Sequence, residues 1–137
     1  MLPDPDQAIA LGRAVVADGR LKQLREDLGI TRRAMAELLH TNLMTYSTWE
    51  RRPETSLRKA TAGRVGRFFY VAEAELALLR EHGIVDMLPF HVVATQLGLP
   101  QELLLQWYRD GRFEAVDAGI LGLWLHRSDL THIRRQQ

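Results

Sequence analysis

Six cationic side chains between residues 32 and 59 raise the first chemical question: Arg32, Arg33, Arg51, Arg52, Arg58 and Lys59. Guanidinium and ammonium groups at this density can neutralise a row of phosphates, and each phosphate contact needs one within reach. Residues 20–67 hold eleven Lys/Arg against five Asp/Glu, whereas residues 1–19 are net −2 and residues 68–137 net −3. A basic segment between acidic flanks is the footprint of a polyanion site or, equally, a solvated helical face compensated elsewhere. Catalysis finds less support. The histidines stand apart at 40, 82, 91, 126 and 132, and His126 and His132 miss the i,i+4 spacing of a helical metal pair. The chain has no cysteine, which excludes disulfides, zinc ribbons and a thiol nucleophile. No P-loop, GxGxxG, GxSxG or HExxH occurs. The carboxylates sit among basic residues at helical spacing, which suits surface pairing better than acid/base work. No enzyme activity, metal or cofactor is expected.

These side chains need helices to hold them, and the pattern supplies several. Asp4 or Asp6 can cap a first helix to about Ala17, with a break at Asp18-Gly19. Leu21, Leu24 and Leu28 share one face of the next, which Gly29 ends. Thr31 caps a third element with Ala34, Met35, Leu38 and Leu39 as its apolar stripe. Asn42 caps residues 43–52, and Pro53 stops them. Thr55 or Ser56 is expected to cap a long stretch to Gly83, which Gly63 and Gly66 divide into two helices. Beyond it, residues 88–98 and 99–111 read as two short helices. Two short strands are expected around Asp117-Ala118-Gly119, then a last helix from Ser128.

Residues 27–52, DLGITRRAMAELLHTNLMTYSTWERR, carry a fuller pattern. Ala36 is a small residue where two helices would touch. His40-Thr41-Asn42 is the turn, Tyr46 takes a core position, and Trp49-Glu50 closes the segment. This resembles the Cro/repressor-type helix-turn-helix family, over about 50 residues with the flanking helices. The resemblance implies that the third helix of that motif lies in the major groove with its N-terminal residues at the base edges. The base-reading residues are then Asn42, Leu43, Met44, Thr45, Ser47 and Thr48, with Leu43, Met44, Ser47 and Thr48 on the outward face. Arg32, Arg33, Arg51, Arg52, Arg58 and Lys59 become the phosphate contacts. Two departures stand out. The family turn usually has Gly where this chain has His40. The reading face lacks the usual Gln, Arg and Asn, so contact with thymine methyls and hydroxyl hydrogen bonds must replace bidentate readout.

Residues 88–130 carry Leu97-Gly98, Trp107-Tyr108, Gly111-Arg112, a turn at Gly119, and Asp129-Leu130. They are similar to the winged helix-turn-helix of excisionases and MerR-type regulators. That resemblance places Gln101, Glu102, Gln106 and Arg109 on the exposed face of a second reading helix, with Arg112 near the wing. A helical packing or dimerisation domain is the alternative, and the tail's acidic charge favours it.

The expected architecture is mostly α. An N-terminal helix-turn-helix bundle (1–70) is joined by a connecting helix (71–84) to a small winged helix-turn-helix-like domain with a short β-hairpin (85–137). The pairing of two unlike heads resembles the immunity repressors of actinobacteriophages. It implies a transcriptional repressor binding double-stranded DNA, as one chain on one asymmetric site in preference to a homodimer. An excisionase-like architectural factor and an antitoxin-type interaction module are the rivals. No small-molecule ligand and no membrane association are expected, because no apolar run approaches the about 20 residues of a span. The N-terminus is acidic ahead of its apolar part, unlike a secretory signal, and a bacterial cytoplasm is the expected location.

Overall fold

The computed structural model describes residues 2–135. The chain is mostly helical, with a small antiparallel sheet, and divides into two compact units, residues 1–74 and 75–137.

The first unit begins with α1 (Pro5–Ala17). Asp4 accepts from the Gln7 backbone N–H while the Gln7 side chain accepts from that of Asp4, so two otherwise unpartnered donors are satisfied. Gly19, at φ 80°, turns the chain into α2 (Arg20–Leu28), whose Leu21, Leu24 and Leu28 are all buried. Each such leucine contributes about 1.5–3 kcal/mol relative to an exposed one. Gly29 ends α2 at φ 67°. Thr31 caps α3 (Arg32–Leu38) through the Ala34 N–H. The buried face of α3 is Met35 and Ala36, continued by Leu39, while Ala34 and Leu38 are only half-buried. Asn42 caps α4 (Leu43–Arg51) with a 2.7 Å bond from the Thr45 N–H.

The long helix α5 (Lys59–Glu81) differs from expectation in two ways. It starts at Lys59 rather than at Thr55 or Ser56. The Thr55 hydroxyl instead donates to the Arg52 carbonyl, closing the end of α4. It also runs unbroken through Gly63 and Gly66. Gly66 serves packing, not interruption, whereas a Cβ at Gly63 would meet only the Ile9 and Arg67 side chains at an ordinary 3.6 and 3.8 Å. A Cβ at Gly12 of α1 would overlap the Ala62 carbonyl, and one at Gly66 would overlap the Ala8 carbonyl. The two helices therefore meet backbone to backbone, which only glycine permits.

The boundary between the units falls inside α5. In the second unit, α5 residues from Glu75 onward are followed by a 3₁₀ turn (Ile84–Asp86) and β1 (Met87–Pro89). Then come α6 (Phe90–Leu97), α7 (Gln101–Arg109), β2 (Val116–Asp117), β3 (Leu123–His126) and α8 (Asp129–Arg135). The expected hairpin is β2–β3, with Val116 opposite Trp124. The unexpected strand is β1, pairing Leu88 with Leu125 to give the order β1-β3-β2. Pro89 in that strand argues against a ladder position, but β1 is an edge, where a missing N–H is tolerated. Leu88, Val93, Leu104, Phe113, Leu125 and Ile133 form the core of this unit.

Candidate nucleic-acid interface

Helices α3 and α4 are joined by the turn His40-Thr41-Asn42. His40 has φ 56°, the only non-glycine with positive φ among the described residues. That is the left-handed conformation which favours glycine and which histidine adopts at a cost. His40 thus holds a backbone shape that glycine would hold without that cost.

Tyr46 and Trp49 turn the inner face of α4 into the core, 0% and 5% exposed, with their rings edge to face at 6.0 Å. One turn of mostly apolar surface fixes the helix's depth, and one carboxylate fixes its orientation. Glu50, with a side chain only 4% exposed, accepts from Arg25 Nε at 2.7 Å and Nη2 at 3.1 Å. Arg32 Nε adds a third bond at 3.1 Å. Arg25 also donates to the Ile30 carbonyl at 3.0 Å. A single buried acid therefore ties α4 to α2, to the start of α3 and, through Arg25, to the loop between them. Burial pushes the Glu50 carboxyl up, but the bonds and charge of Arg25, the nearness of the Tyr46 hydroxyl and the bond from Arg32 outweigh it and hold it below the usual carboxylate range. Burial, and then Glu50, push the Tyr46 phenol well up. That hydroxyl is buried without a well-formed hydrogen bond of its own.

The outer face of α4 carries the expected base-reading residues in graded exposure. Met44 is 78% exposed, and Asn42 and Thr45 are also exposed. Leu43, Ser47 and Thr48 are half-buried. Leu43, Ser47 and Thr48 therefore do not stand fully outward as the helical spacing suggests. The Thr48 hydroxyl donates to the Met44 carbonyl at 2.9 Å, so it has only acceptor capacity left for a partner. Met44 and Thr45, in the first turn, are the side chains most open to contact.

Of the expected phosphate contacts, Arg33, Arg51, Arg52, Arg58 and Lys59 are exposed. Arg33 lies in the first turn of α3, Arg51 and Arg52 at the end of α4, and Arg58 and Lys59 at the start of α5. Arg32 differs: its side chain is 45% exposed and its Nε is engaged by Glu50. Its two terminal nitrogens remain available, so the acid orients Arg32 rather than consuming it. The Arg25–Glu50–Arg32 arrangement was not foreseen. The only hint in the sequence was Glu50 beside a core Trp. Residues 1–74 hold twelve Lys/Arg against nine Asp/Glu, and residues 75–137 six against eight, so the positive excess belongs to the first unit.

In the second unit, Gln101, Glu102, Gln106 and Arg109 are exposed along α7, while Leu104 is buried beneath them. Leu103, Trp107 and Tyr108 are half-buried, and Trp107 and Tyr108 pack against the core of this unit. The Arg112 guanidinium lies 5.0 Å from the Trp107 ring centroid, a cation–π contact. Glu75 accepts from the backbone N–H groups of Ile120 and Leu121 at 3.1 and 3.2 Å, pinning the turn between β2 and β3. Burial pushes the Glu75 carboxyl up, those two bonds oppose it, and Asp117 adds to the rise. A Cβ at Gly119, whose φ is 59°, would overlap the Glu75 carboxylate.

Compared with protein-family models, curated proteins and solved structures, the chain matches none. Among the described residues, no helix is long and apolar enough to cross a membrane. No group of three or more potential metal ligands is found among them either.

Proposed function

We propose that this chain is a sequence-specific double-stranded DNA-binding protein that acts as a transcriptional repressor of the phage immunity type, with α4 in the major groove. The observation that carries the reading is the first turn of α4. Met44 stands 78% exposed there, on a helix whose opposite face is buried and whose orientation is fixed by Glu50. A protruding thioether beside the exposed hydroxyl of Thr45 suits contact with thymine methyls and base-edge acceptors. Arg33, Arg51, Arg52, Arg58 and Lys59 supply the sequence-independent phosphate attraction, with Arg32 held ready by Glu50. The α7 face of Gln101, Glu102, Gln106 and Arg109 contacts DNA beside the α4 site, with Arg112 stiffened on Trp107. Repression and the phage setting rest on the sequence resemblance alone.

Salt titration of the binding constant tests the phosphate side of this reading. Arg52→Ala should weaken binding to all duplexes alike and lower the slope of log K against log salt by about one unit. A slope unchanged by Arg52→Ala and by Arg33→Ala would remove the basic residues from the interface.

A further inference from the structure

The sequence has four methionines and no cysteine, so thioethers are its only sulfur nucleophiles. Three of the four lie among the described residues, in contrasting surroundings: Met35 and Met87 are buried, 0% and 3% exposed, whereas Met44 is 78% exposed. Sulfur oxidation follows access. A peroxide meets the Met44 sulfur at the surface of the folded chain, but reaches Met35 and Met87 only when the structure around them opens. Core packing does not account for methionine at this position. A flexible thioether suits irregular gaps in a core, and Met44 stands outside one. Leucine would present about the same apolar volume to a partner there, without a sulfur to oxidise.

We infer that Met44 is the oxidation site of this protein, where a peroxide converts the thioether to the sulfoxide and so weakens sequence-specific DNA binding. In that step a sulfur lone pair attacks one peroxide oxygen and the O–O bond breaks. Sulfur loses two electrons and gains one oxygen, and the rest of the hydrogen peroxide leaves as water. The reverse step consumes two thiols of a sulfoxide reductase system and returns the thioether, a disulfide and water. The sulfoxide is polar and chiral where the thioether is apolar. Pressed against a thymine methyl, its oxygen loses hydration with no donor facing it, the penalty of any polar group buried unpaired. The scaffold keeps its shape, because α4 is held by Tyr46, Trp49 and Glu50 on the opposite face. The basic residues are untouched, so attraction to phosphates persists. Oxidation therefore removes discrimination between duplexes and leaves attraction to DNA. The effect on DNA binding rests on the proposed reading by α4, whereas the selectivity of oxidation for Met44 does not.

Dilute hydrogen peroxide, added to the full chain without DNA and followed by peptide mass mapping, tests the site. In the folded protein Met44 should gain one oxygen at least about tenfold faster than Met35 or Met87, and in urea the three should react at similar rates. The oxidised and untreated proteins are then compared at one salt concentration on two probes: the duplex that the untreated chain enriches from a random pool, and random duplex. Affinity for the enriched duplex should fall about tenfold, as for one lost base contact. Affinity for random duplex and the circular dichroism spectrum should stay the same. The two sulfoxide reductases, one for each epimer, should together restore the lost affinity. Met44→Leu, compared only with itself before and after peroxide, should show no change on either probe. Equal oxidation rates at the three methionines of the folded protein would overturn the site. Selective oxidation with unchanged affinity for the enriched duplex would overturn the switch, as would an equal loss in Met44→Leu. An untreated chain that enriches no duplex would refute the DNA reading and the switch with it, whereas the oxidation rates decide the site without DNA.

Discussion

The Arg25–Glu50–Arg32 group predicts two substitutions of the same residue type with opposite consequences. In Arg25→Ala, Glu50 loses its bonds at 2.7 and 3.1 Å, and the Ile30 carbonyl loses its guanidinium donor. Only Arg32 then faces a carboxylate with 4% of its side chain exposed. Breaking a buried pair from one side costs about 3–5 kcal/mol. The remaining Arg32 bond moves the expectation to the lower end, about 3 kcal/mol. In Arg32→Ala, Glu50 keeps both Arg25 bonds, and the side chain removed was 45% exposed. Solvent screening then limits the loss to under about 1 kcal/mol. DNA affinity should reverse the order: Arg32→Ala should lower the salt slope by about one unit, as a lost phosphate contact does. Arg25→Ala should leave the slope unchanged while the protein stays folded. Urea titration followed through the amide NMR signals of α2, α3 and α4 measures the stability loss in this unit. Equal stability losses for the two variants would refute the assignment of Arg25 as the structural partner and Arg32 as the oriented, outward one.

Other consequences follow from single residues. His40→Gly should stabilise the first unit by about 0.5–1 kcal/mol in urea unfolding, because φ 56° costs histidine what glycine escapes; a loss instead would show that the imidazole makes a stabilising contact. Glu50 has a folded-state pKa below its unfolded value, so its contribution is fully present above the usual carboxylate range and is lost as pH falls through the folded value. Acid unfolding of the first unit should therefore become less steep in Glu50→Gln, and an unaltered pH profile would exclude Glu50 as its source. Gly119→Ala should free the β2–β3 turn from Glu75, raising amide exchange at Ile120 and Leu121; unchanged protection there would show that the carboxylate does not hold the turn.

Local signals made much of the fold legible. Thr31 and Asn42 cap the helices they were expected to cap, Asp4 rather than Asp6 caps the first, and Gly29 and Gly98 end theirs in the left-handed conformation. Leu21, Leu24 and Leu28 line one buried face because periodicity reports burial directly. Less legible was whatever depends on distant partners. Gly63 and Gly66 read as breaks, yet Gly66 admits the backbone of α1 at Ala8, a contact 58 residues away in sequence. Thr55 reads as a cap and instead closes the preceding helix. Strand β1 has only three residues and takes its identity from β3. At the candidate site, the inward Tyr46 and Trp49 and the outward Met44 follow from helical spacing. The half-burial of Leu43 does not, because it depends on how closely neighbouring elements pack. The Glu50 group joins residues 25 and 18 positions apart, and no spacing rule links them.

Selection from random duplexes, run in parallel on the parent chain and on Met44→Ala, tests most directly whether α4 reads DNA sequence. The parent should enrich one defined, thymine-containing site, bound at least about 10³-fold more tightly than random duplex at physiological salt. Met44→Ala should retain non-specific affinity and relax the preference at the contacted base pair by about 1–3 kcal/mol, as should uracil in place of thymine there for the parent. No enriched site for the parent, or the same site enriched equally by Met44→Ala, would contradict the account.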